Sequence, residues 1–211
     1  QHLDLSGIHH LIVTHSHQDH FYPEELAMRR PPYAHFSQLG ILHIYGNDKV
    51  KEKLRSRVKI EEMSEYVEFN EVSPFQPFRA GKAVVTPLKA RHDPKENCLI
   101  YLIELEGKCV LYGHDTGYFP EETWSYLKEK HLDTVILDCT YGPDSDGTYH
   151  MGLPNDIQVK ERLLEEGMAG EGTLFIVTHF SHNGGMLHEE LAALAERHGF
   201  KTTFDGAEFE I

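Results

Sequence analysis

The chain has 211 residues, 40% of them hydrophobic and 26% charged, enough to bury a core without disulfides. No stretch approaches the roughly 18 apolar residues of a membrane-spanning helix, and a net charge of −14 with neutral histidines argues against a generic nucleic-acid or anionic-lipid surface. Three scattered cysteines, Cys98, Cys109 and Cys139, none in a CxxC pair, exclude a disulfide framework and point to a reducing cytosol.

Residues 11–13 read as a strand that runs into the polar cluster 14–20. A helix is predicted over 23–30, where Pro23 suits a first turn because its missing amide proton has no partner there. Residues 31–81 are mixed, with one charged helix over 48–58 and a loop rich in Pro and Phe over 73–81. Residues 84–88 predict a strand, and 98–105 with 108–112 a hairpin turned at Glu106 and Gly107. The apolar strand 133–138 leads into a loop over 139–152, followed by a helix over 154–168 and a buried strand over 173–177. An amphipathic helix over 187–198 closes at Gly199, a good left-handed cap. Residues 200–211 are expected to hold two short strands around Asp205 and Gly206. Strands alternating with helices, and polar residues just past several strand ends, predict an α/β layered fold with its site along one edge of the sheets. With no repeats and no low-complexity linker, one domain over 1–211 is expected, with room for an insertion in 31–81.

His15, His17, Asp19 and His20 place three imidazoles and a carboxylate within six residues, and alternate residues after a strand can point toward one centre. Imidazoles suit zinc, manganese or iron, and the carboxylate offers a harder ligand beside them. HxHxDH, with the later motifs in order, resembles the metallo-β-lactamase superfamily over nearly the whole chain. The fold implied is an αββα sandwich. The phosphodiesterase-like branch places a His after an intermediate strand, an Asp after a hairpin and a His late in the chain; here His92 in ARHDP, Asp115 in LYGHDTG and His179 in VTHFSHN match. The resemblance implies that His15, His17 and His92 hold one divalent ion, that Asp19, His20 and His179 hold a second, and that Asp115 bridges both. His114 stands next to Asp115, but the family motif has the carboxylate before Thr116.

Within the superfamily the chain resembles the PhnP-like branch, which opens a phosphoribosyl cyclic phosphate. THFSHN, FDGAEFEI, LDCTYG and the isolated His150 followed by Leu153 and Asn155 carry this likeness. It implies His150 as the general acid that protonates a leaving alkoxide, with Asp19 the other catalytic candidate. Two metals, zinc or manganese with iron as a third choice, would acidify a bridging water from about 15.7 toward roughly 7 for attack. The reaction implied is hydrolysis of a small, cyclic phosphodiester. Lactone or thioester hydrolysis and tRNA 3′-end processing stay open, because the same site chemistry serves them. RNA-processing relatives carry a basic arm, whereas the basic run 49–59 here alternates with apolar positions and reads as a solvated helix face. A small-molecule partner without membrane attachment is expected; a homo-oligomer stays open.

The family normally begins with a β-structured segment before HxHxDH, whereas fourteen residues precede His15 here and the first is Gln1 rather than Met. The expectation is therefore that N-terminal strands of the sandwich are missing from this chain. In PhnP-like proteins, cysteines of that segment bind a structural zinc with the His that His182 matches; those cysteines are absent here, and His182 has no assigned role. Specificity is expected to lie in the loops over 21–81 and 140–153.

Overall fold

The computed structural model describes residues 7–34, 40–144 and 147–211; residues 35–39 and 145–146, inside the two loops expected to govern specificity, lie outside it. The strands form two sheets. β1 (His10–Ile12), β2 (Leu42–Gly46) and β3 (Val67–Glu71) make a parallel sheet in that order. β4 (Phe78–Ala80), β5 (Ala83–Lys89), β6 (Leu99–Leu105), β7 (Lys108–Gly113), β8 (Thr134–Asp138), β9 (Leu174–Thr178) and β10 (Lys201–Thr202) make the other, laid side by side in chain order. β4 to β7 run antiparallel, so short turns join them, whereas β7 to β10 run parallel and need crossovers. Those crossovers contain α2 (Glu121–Leu127), α3 (Leu153–Glu165) and α4 (His188–Arg197), while α1 (Asp48–Arg57) joins β2 to β3.

Side-chain alternation explains the layers. On β6, Leu99 and Tyr101 face a cluster with Val85, Ile12 and Tyr112 between the two sheets. Ile100 and Leu102 face the other way, against Leu111, Trp124, Leu127, Val159 and Leu163. Both faces of the strand are buried, so it reads as a continuous apolar run. Beyond the smaller sheet, Ile44 and Val67 pack on Val50 and Leu54 of α1. The order is helix, sheet, sheet, helix, the αββα sandwich implied by the resemblance.

Local chemistry fixes several boundaries. The β6–β7 hairpin turns through Glu106 (φ 51°) and Gly107 (φ 81°), both left-handed as a two-residue hairpin of matching twist requires. α4 ends at Gly199 (φ 72°), and Lys160 Nζ donates to the carbonyls of His198 (2.7 Å) and Gly199 (3.0 Å).

The helix expected from Pro23 is present as a 3-10 helix, Pro23–Arg29. The structure departs from the sequence reading in three places. Residues 31–81 contain β2, β3 and β4, which were not foreseen, because His43 interrupts β2 and VEFNE offers only two apolar residues. α2 was missed as well; its seven residues are too few to display a period. Residues 200–211 hold one two-residue strand, not two. After β10, Ala207 N donates to Phe204 O (2.9 Å) to close a turn at Asp205 and Gly206, and the following arm finds no ladder.

Candidate metal centre

Loops leaving β1, β5, β7, β8 and β9 converge at one end of the two sheets, the place where open parallel sheets commonly bind ligands. The β1 loop brings His15, His17 and His20; the larger sheet brings His92, Asp115, Asp138, His150 and His179. Three groups of donor atoms lie close enough to share an ion: His15 with His17 and His92; His15 with His20 and Asp115; and Asp115 with Asp138, His150 and His179.

Hydrogen bonds choose which imidazole nitrogen faces the centre. His15 Nδ1 is engaged by Thr14 Oγ1 (3.0 Å), and His92 Nδ1 donates to the Tyr149 carbonyl (3.0 Å), which leaves Nε2 on each. His17 is turned the other way: Nε2 meets Asp93 Oδ2 at 3.2 Å, so Nδ1 points inward and stands 3.2 Å from His92 Nε2. Such outer partners are the usual means of orienting a metal-binding histidine. His15 Nε2 is buried without a hydrogen-bond partner, although Asp115 Oδ2 is 3.2 Å away. His20 Nε2 lies 3.0 Å from Asp115 Oδ2 and 3.4 Å from Asp19 Oδ2. Two ligands each about 2.1 Å from a tetrahedral cation stand about 3.4 Å apart, so these spacings, with the orphaned nitrogen, fit a divalent ion. Asp19 is at the rim, 76% exposed, and falls outside the three compact groups.

Asp115 belongs to two of the groups and is only 2% exposed. Both it (φ 57°) and His179 (φ 62°) hold left-handed backbone, a strain of about 1–2 kcal/mol each that non-glycine residues seldom carry away from functional sites.

Asp138, at the end of β8, was not picked out from the sequence. Fully buried, it accepts from Thr140 N (2.9 Å), Thr116 N (3.1 Å) and Thr140 Oγ1 (2.7 Å). Because the Thr140 hydroxyl donates to Asp138, it accepts from His179 Nδ1 (2.7 Å), which leaves His179 Nε2 for the centre. His150 Nδ1 lies between Asp115 Oδ1 (2.9 Å) and Asp138 Oδ2 (3.0 Å). The only sequence signal for Asp138 was its place as the last residue of a buried strand.

Charge follows this geometry. Burial and the neighbouring imidazoles His20, His92 and His17 lower His15 to about 3 against the pull of Asp115, keeping it neutral as a ligand must be. Burial opposes ionisation of Asp115 and Asp138, but hydrogen bonds with His150 and with His20 or His179 outweigh it and hold both carboxyls low. The same bonds overcome burial at His150 and raise it to about 10. His114 packs on His179 (centroids 4.5 Å) and His20 (5.4 Å) and stacks on Tyr112; burial, then His179 and His20, push it down to about 4. It walls the centre without joining a donor group. His182 lies outside the cluster, exposed at the start of a short turn, His182–Gly184. A surface hollow of about 580 Å³, lined by Lys82, Glu104, Lys130 and Asp133, lies at the β6–β7 turn and shares no residue with the cluster.

The sequence profile of the beta-lactamase superfamily domain matches residues 1–180. A search of curated proteins found no match. Among solved structures, the chain is similar to a new diphosphatase from the PhnP family, with TM-score 0.67 and 22% identity over 97% of this chain and 72% of that one. It is similar to the metallo-β-lactamase fold protein YhfI from Bacillus subtilis, with TM-score 0.65 and 21% identity over 92% and 72%. It also resembles the short form of human tRNase Z, with TM-score 0.62 and 16% identity over 85% and 74%. At these identities the likeness is one of fold.

Proposed function

The chain belongs to the beta-lactamase superfamily and has the fold and donor cluster of a metal-dependent hydrolase; from that premise we propose that it hydrolyses small phosphodiesters, cyclic ones in particular. The observation that carries this reading is His150, one-fifth exposed, with Nδ1 held between Asp115 and Asp138 at the edge of the cluster. An alkoxide leaves a phosphodiester only with help from a proton, and His150, an imidazole held between two buried carboxylates, is the group placed to deliver one. Bound cations, held by His15, His17 and His92 and by Asp19, His20 and His179 with Asp115 common to both, would neutralise developing phosphoryl charge and acidify an attacking water toward roughly 7.

The chain's own residues do the positioning. Thr14, Tyr149, Asp93 and Thr140 each hold one nitrogen of a ligand histidine, so the other faces the centre before substrate arrives. Asp138 keeps His150 and His179 in register from beneath. The neighbour named as a diphosphatase supports phosphoryl chemistry on this fold. A small substrate is favoured over RNA because basic residues of α1 are engaged: Lys49 with Glu52 (2.8 Å), Lys51 with Glu71 (2.7 Å) and Lys53 with the Ser16 carbonyl (2.8 Å).

The test compares two leaving groups. Replacing His150→Gln should lower turnover of a ribose cyclic phosphate by about 10²–10⁴-fold, but that of bis(p-nitrophenyl) phosphate far less, since nitrophenolate leaves unprotonated. Equal losses on both would remove His150 as the acid. Faster turnover of lactones or thioesters than of any phosphodiester would overturn the substrate class.

A further inference from the structure

Ser16 stands between His15 and His17, and each of its polar groups is held from outside the β1 loop. Its amide donates to Glu96 Oε1 (2.8 Å) and its hydroxyl to Glu96 Oε2 (2.6 Å), while its carbonyl accepts from Lys53 Nζ (2.8 Å). Glu96 belongs to the β5–β6 loop that also carries His92, and Asp93 of that loop meets His17. Glu96 is itself fixed by Asn47, only 3% exposed, whose Nδ2 donates to Glu96 Oε1 (2.8 Å) and to the Asn97 carbonyl (2.9 Å) while its Oδ1 caps α1 at Val50 N (2.9 Å). One carboxylate thus joins the loops that bring His15, His17 and His92 together from two different sheets.

In the second set, His179 is held by Thr140 and His20 meets Asp115, but Asp19 has no such brace among the described residues. Asp19 is 76% exposed and His20 is its ion-pair contact. A site whose ligands are already locked loses less freedom on binding than one whose ligands must be gathered.

We propose that Glu96 is a positioning residue: by clamping Ser16 across the two sheets it prebuilds the cation position of His15, His17 and His92, which therefore fills before the position of Asp19, His20 and His179. This rests on the two-cation reading above.

Metal-free protein titrated with Co²⁺, followed by calorimetry and by the cobalt absorption spectrum, tests it without an activity assay. In a His179→Ala background, which isolates the first position, Glu96→Ala should weaken binding by about 10–100-fold. Glu96→Gln should restore most of the affinity, because Oε1 remains and the amide can donate to the Ser16 hydroxyl. In a His17→Ala background, which isolates the second position, Glu96→Ala should leave binding unchanged. If Glu96→Ala fails to fold, Ser16→Ala, which removes only the hydroxyl bond, should show the same selectivity at smaller size. Equal weakening of both positions, or of neither, overturns the proposal while leaving the two-cation reading intact. Wild-type protein that takes up no divalent ion overturns both.

Discussion

Two fully buried carboxyls one layer apart show how hydrogen bonds decide ionisation. Asp138 has Thr140, Thr116, His150 and His179 around it and is held low. Asp156 on α3 has no hydrogen-bond partner on either oxygen among the described residues, and burial followed by the charge of Asp138 pushes it well above the ordinary range. The folded protein thus keeps a proton on Asp156 that the unfolded chain gives up above about pH 4. Its contribution to stability is whole below that pH and declines as pH rises toward the folded value. Asp156→Asn abolishes this titration, so urea midpoints between pH 4 and 8 should show the variant gaining on the parent as pH rises. Parallel curves would mean that Asp156 does not titrate on unfolding.

At the scale of elements, α2 anchors the loop that presents Asp115. Trp124 is fully buried, donates from Nε1 to the Phe119 carbonyl (3.0 Å) and carries the Arg162 guanidinium over its ring at 4.2 Å. Arg162 in turn holds Glu121, in the first turn of α2, through two contacts of 2.9 and 3.0 Å. Trp124→Ala should therefore destabilise the fold by about 3–5 kcal/mol in denaturant unfolding. A loss below about 1 kcal/mol would show that the α2–α3 contact is not the anchor described. This element escaped the sequence reading because seven residues with Trp124 and Leu127 as the apolar pair resemble any surface turn. The β6–β7 hairpin was legible, since a Glu-Gly turn between two long apolar runs has few other outcomes.

For the whole molecule, the donor cluster doubles as a joint. His15, His17 and His20 arrive from the smaller sheet and the remaining donors from the larger one, with Leu99 N donating to the Thr14 carbonyl (2.9 Å) across the gap. A cation that binds the folded chain and not the unfolded one adds about 2.7 kcal/mol at a hundred times its Kd. Chelation should lower the thermal midpoint, and hydrogen exchange should quicken first in residues 13–20 and 90–98. An unchanged midpoint after complete metal removal would argue against a cation linking the sheets.

The sequence by itself determined the superfamily, most of the larger sheet and its crossovers, and the identity of the histidines and of Asp115 that the fold gathers, because those residues follow strands in short stretches with few alternative arrangements. It marked Asp19 as equal to its neighbours, whereas the folded loop leaves it at the rim. Only the tertiary structure decided which nitrogen of each histidine faces inward, that Asp138 lies beneath His150, and that Glu96 grips Ser16. Apart from Thr14 beside His15, these depend on partners apart in sequence, 57 residues for His92 and Tyr149 and 80 for Ser16 and Glu96, and local periodicity carries no record of such pairings.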